Sequence, residues 1–199
     1  MNEYVAELYD FITFAEHAQP SVCALARDAA DKWYLEAHEF AVELAERYGV
    51  TVEQSAGIIA AMSIRQFWTR NKHNASLYLA WWNGAIEAPR CLGISIHKCN
   101  AIMFLEGDDR SSEEVINTIL HGMKITSFYD NILHPLTSQH ATIDSWMTKV
   151  WKEYRGKKQP TRKVKRLMKD AVEYVAMKLG WLVPRLQAYV WTLLRGKAQ

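Results

Sequence analysis

Apolar residues recur at helical spacing through most of the chain, and no stretch alternates with the two-residue period of a strand. Val5, Leu8, Phe11 and Ile12 share one face of a helix predicted over residues 3–17, ended before Pro20. A longer pattern covers residues 21–48 through Trp33, Leu35, Ala37, Phe40, Ala41 and Leu44. Gly49 stops it, and Asp31 marks a candidate break. Thr51-Val52-Glu53-Gln54 has the residues of a capping box before a helix of small and apolar side chains, residues 55–62. Ala56, Gly57, Ala60 and Ala61 let neighbouring helices approach closely, which predicts a central position for this one. Residues 63–68 end it, and another helix covers 71–82.

Further helices are predicted over residues 95–105, bounded by Pro89, Gly93 and the turn Gly107-Asp108-Asp109, and over 113–120 with Ser112 as cap. Residues 124–133 form the next, stopped at His134-Pro135, and Asp144 opens one that reaches about Tyr154. A polar linker, 155–160, leads to helices over 162–179 and 184–194. The expected fold is all-α. One domain spans 1–199: N-terminal helices to 110, a core over 111–155, and basic C-terminal helices from 156.

A chain of 199 residues, 49% hydrophobic and 23% charged, can bury a substantial core. No apolar run reaches the roughly 18 residues that a membrane span requires. The acidic start, MNEYVAELYD, lacks the basic region of a signal peptide, so a cytoplasmic location and no membrane partner are expected. Cys23, Cys91 and Cys99 make neither a disulfide framework nor a zinc pattern, and no metal or cofactor is expected. The net charge of +2 conceals an uneven layout. Acids dominate up to Met62, whereas Lys149, Lys152, Arg155, Lys157, Lys158, Arg162, Lys163, Lys165, Arg166 and Lys169 dominate later. Such a layout suits a nucleic-acid surface, because phosphate neutralisation supplies most non-specific affinity. A solvated helix face has the same composition.

The candidate chemistry lies in HGMKITSFYDNILHPLTSQHATIDSWM, residues 121–147. Lys124 sits in the first turn of a predicted helix, where the dipole disfavours its charged form. Partial burial among Ile125, Phe128 and Ile132 would push the same way, and a lysine must lose its proton to act as a nucleophile. Asp144 has the ordinary position of an N-cap, and Lys124 that of a surface lysine beside a glycine turn; each has that structural role as its alternative.

Gly122-Met123-Lys124, the apolar helix after it, and Ala141-Thr142-Ile143-Asp144 resemble the core of the helix-hairpin-helix DNA glycosylases. They are similar also to small phage proteins with a GxK…TID pattern and a C-terminal QA-x-x-W, supplied here by Gln187-Ala188-Tyr189-Val190-Trp191. The hairpin is abbreviated: His121-Gly122 stands where the superfamily has Leu-Pro-Gly-x-Gly. The resemblance implies a single helical glycosylase-type domain acting on a modified or damaged base in double-stranded DNA. Lys124 would attack the sugar C1′ and Asp144 would assist departure of the base. Trp68 would stack on the flipped base and Arg65, Gln66 and Asn71 would read its edge, unless Phe67 and Trp68 are core aromatics. Gln187 and Trp191, four residues apart on one helix face, are further substrate candidates, with Trp191 as a core lid the alternative.

DNA contacts would fall to His121, Gly122, His140, Lys149, Lys152, Lys157, Lys158 and Arg162, with Gly122 supplying a positive φ and close backbone approach. The protein is expected to act as a monomer, in the host cytoplasm if phage-encoded. The same resemblance leaves two other functions open. One is a glycosylase-fold phage transferase that adds an amino-acid or amine group to activated hydroxymethyluracil in DNA. The other is a non-catalytic DNA-binding protein.

Overall fold

The computed structural model describes residues 3–89, 95–105, 112–156 and 158–195. Cys91, Gly93, the Gly107-Asp108-Asp109 turn and Lys157 lie outside the described residues. The described residues are all-helical, with no strand. In chain order the helices are α1 (Glu3–Ala18), α2 (Pro20–Tyr48), α3 (Val52–Met62), α4 (Trp68–Trp82), α5 (Ile96–Met103), α6 (Ser112–Leu120) and α7 (Met123–Leu133). Two 3₁₀ turns follow, Met147–Val150 and Lys152–Tyr154, then α8 (Arg162–Leu179) and α9 (Val183–Arg195). None of these helices is long and apolar enough to cross a membrane.

The expected break at Asp31 is absent, and α2 is one helix. The Asp31 side chain points outward and pairs with Arg185, so it does not compete for the backbone. Pro20 opens α2, where a missing N–H costs nothing. Backbone contacts group the chain into two compact units. Unit 1 comprises the residues up to Glu36 together with those from His134, and unit 2 is Ala37–Leu133.

Unit 2 is built on α3. Thr51 and Gln54 make the reciprocal capping box that starts it, and every residue from Ser55 to Met62 is buried. Helices α4, α5, α6 and α7 all pack against it. A Cβ on Gly57 would lie 2.9 Å from Ile116 Cγ2 and 3.1 Å from Ile102 Cδ1, so the missing side chain is what admits α5 and α6. The next helix begins at Trp68, three residues earlier than the apolar pattern predicts. Arg65, at φ +56°, makes the intervening turn, and Phe67 takes the N-cap position in extended backbone.

In unit 1, α8 packs along α1, and α9 packs on α8 and the first 3₁₀ turn. Leu8, Met168, Val172, Val175, Leu186 and Tyr189 fill the core. Gly180, at φ +67°, ends α8 in the left-handed conformation that relieves the last carbonyls. The α-helix expected from Asp144 to Tyr154 is instead the pair of 3₁₀ turns. Trp151 between them is extended (ψ 123°), which buries its indole and lets Nε1 donate to the Tyr4 carbonyl at 2.9 Å. An uninterrupted helix would forfeit that anchor.

Candidate functional site

The Asp144 carboxylate accepts three N–H groups. Oδ1 takes the backbone N–H of Trp146 (2.9 Å) and Met147 (2.8 Å), an Asx turn that starts the 3₁₀ segment. Oδ2 takes the indole N–H of Trp191 at 3.3 Å. The capping role expected of Asp144 is therefore present, and α9 adds a further donor that capping does not need.

Trp191 is 8% exposed and meets Trp33 edge-on, with centroids 5.7 Å apart. Trp33 meets Tyr34 at 4.6 Å, and the Tyr34 hydroxyl donates to Gln187 Oε1 at 2.5 Å. One helical turn separates Gln187 from Trp191, so the adjacent Trp33 and Tyr34 in the middle of α2 engage both. On the other side, Lys149 Nζ lies 3.6 Å from the Trp146 ring centroid. The Arg195 guanidinium lies 4.3 Å from the Trp191 centroid and 5.3 Å from that of Trp146. Two cations are thus held over indole rings next to a fixed carboxylate, a contact that exploits the negative ring face.

The segment leading to Asp144 is tied down separately. Glu173 on α8 accepts the Ala141 N–H at 3.2 Å and pairs with Lys169, whose Nζ also donates to His140 Nδ1 at 3.0 Å. His140 belongs to this ionic anchor. Ala141, Thr142 and Ile143 are buried, so the backbone before Asp144 is held from both ends.

The hairpin lies in unit 2. α6 and α7 are joined by His121 at φ +24° and Gly122 at φ +99°. His121 Nδ1 donates to the Ile119 carbonyl at 2.9 Å. A Cβ on Gly122 would meet nothing within 4 Å, so its conformation rather than protein crowding calls for glycine. Lys124 is the second residue of α7 and is half-buried. Beneath the turn, buried Lys98 donates through Nζ to the Leu120 carbonyl, the last of α6. Burial pushes the Lys98 amine below its ordinary pKa.

A protein-family pattern matches residues 12–198, almost the full length. The chain belongs to DUF7178, a family of unknown function. No curated protein and no solved structure matches it.

In this DUF7178 chain the expected site residues divide between the units. Asp144, Gln187 and Trp191 meet in one cluster of unit 1. Arg65, Gln66, Trp68, Asn71, His121, Gly122 and Lys124 belong to unit 2. Trp68 is half-buried, edge-on to Phe40 at 6.2 Å, and Lys72 Nζ lies over both rings. Arg65 is exposed and Gln66 half-buried. Asn71 is 2% exposed, and its Oδ1 has no hydrogen-bond partner among the described residues.

Of the basic residues, Lys152 is exposed and binds Glu7 only through its backbone N–H. Lys158 pairs with Glu153, which holds that carboxyl below its usual range. Arg162 is exposed at the head of α8, whose first turn carries no acid to offset it. Sequence reasoning missed Trp33, Tyr34, Trp146 and Arg195. Two adjacent aromatics at 33 and 34 were visible, but nothing local tells that Tyr34 meets a residue 153 positions away.

Proposed function

We propose that this DUF7178 chain is a DNA glycosylase-like enzyme acting on a modified or damaged base in double-stranded DNA. The observation that carries the reading is the Asp144–Trp191 bond. Two stretches that resemble the glycosylase-like proteins, TID and QA-x-x-W, lie far apart in sequence, yet their distinctive residues share a hydrogen bond. A carboxylate serving only as a cap needs no such donor.

In the proposed reaction the neutral amine of Lys124 forms a bond to the sugar C1′. The C1′–N bond breaks, and its electron pair leaves with the base. Asp144 supplies fixed negative charge against the positive charge that develops at C1′, with three N–H groups holding its orientation. Loss of an amine proton and opening of the sugar ring give a Schiff base. Arg162 and the neighbouring Lys163 and Arg166, all exposed, would neutralise phosphates, as would Lys149 and Arg195.

Borohydride trapping tests this reading, on duplexes containing an abasic site, 8-oxoguanine, uracil, hydroxymethyluracil or hypermodified phage DNA. Wild type is expected to give a covalent adduct with one modified base, absent in Lys124→Ala. An adduct that persists in Lys124→Ala would dismiss this lysine as the nucleophile.

A further inference from the structure

We propose that unit 1 carries a second binding site, for a small apolar α-amino acid, in a pocket lined by α2, the segment after His134 and the start of α9. The inference does not rest on the base-acting reading. The pocket has a volume of about 240 Å³, enough for a ligand of this size. Leu35, Pro135, Leu136, Leu182 and Pro184 supply its apolar wall. Three of them, Leu35 (37% exposed), Leu136 (60%) and Leu182 (37%), remain in water around this one concavity. A hydrocarbon side chain seated there would cover them.

The charged groups define the head of the ligand. Arg185 and Asp31 both line the pocket and pair through Nε and Nη2 of the arginine. The guanidinium also stacks on Trp181, 4.3 Å from its centroid. Asp31 and Trp181 thus fix the orientation of the fork, while no described residue accepts from its outer nitrogen, Nη1. A carboxylate can take that edge with good geometry. Asp31 would repel a simple carboxylate and Arg185 a simple amine, since the pair is neutral as a whole. A molecule carrying both charged groups on one carbon, as an α-amino acid does, satisfies both, its ammonium towards Asp31 and its carboxylate towards Arg185.

Isothermal titration of the full chain with L-leucine, isovalerate and isoamylamine tests the assignment. Saturable one-site binding of leucine is expected, with the two singly charged analogues at least about tenfold weaker. Arg185→Gln should abolish it. Leu136→Trp should also abolish it by filling the pocket, and at an exposed position this variant is expected to keep its melting temperature, so the test survives if Arg185→Gln fails to fold. Absence of saturable leucine binding would overturn the proposal. So would equal binding of either analogue, or unchanged binding in Leu136→Trp.

Discussion

Replacing Trp191 by phenylalanine removes one hydrogen-bond donor from Asp144 and little else in shape, so its cost can be worked from the contacts. A hydrogen bond to a charged group contributes about 1.5–3 kcal/mol when well formed; at 3.3 Å and half-buried this one falls nearer 1 kcal/mol. The smaller ring keeps part of the edge contact with Trp33 and part of the Arg195 stacking, and loses about 0.5–1 kcal/mol. Trp191→Phe should therefore destabilise the protein by about 2 kcal/mol. Asp144→Ala removes the same bond and the two backbone caps, at a similar cost. Because both single variants lose this same bond, the double variant is expected to be less destabilised than the sum of the singles, by about 1 kcal/mol. Urea unfolding of all four proteins, with a shared slope, measures that coupling. Costs that simply add, to within about 0.3 kcal/mol, would refute the claim that the two residues act together.

Two further substitutions probe the parts that support the hairpin and the core. Gly57→Ala should destabilise by about 1–2 kcal/mol in thermal or urea unfolding: the new methyl meets Ile116 at 2.9 Å, which outweighs the gain in helix propensity. Lys98→Met orphans the Leu120 carbonyl and should cost about 1 kcal/mol at neutral pH. Because burial lowers the folded pKa of Lys98 from 10.5, its charged form opposes folding, and that penalty is relieved as pH rises through the lowered value. Wild type should gain stability relative to Lys98→Met over that rise, with the gain complete near 10.5; a constant difference would count against it.

The features legible in the sequence were those set by local chemistry. The Thr51–Gln54 capping box, the Gly49 stop at φ +65° and the small-residue face of α3 each need only a few neighbouring side chains. The 162–179 pattern matches α8 residue for residue, because its apolar stripe faces one core. Asp144 was readable as a cap, but the form of the helix it opens was not. That outcome depends on Trp151 reaching Tyr4, 147 positions away. Gln187 and Trp191 were singled out by resemblance and by their shared face. Their partners Tyr34, Trp33 and Asp144 come from two other parts of the chain, which periodicity cannot join. Lys98 gave no signal at all, since a lysine in a short helix reads as solvated until its burial is known.

The most direct test of the account is mass spectrometry of the products after incubation with each modified duplex, comparing wild type with Asp144→Asn at matched DNA occupancy. Wild type is expected to release one modified base in free form, and Asp144→Asn to bind the same duplex without releasing it. A nucleoside changed in mass with its glycosidic bond intact, or DNA returned unchanged by wild type, would contradict a base-releasing enzyme.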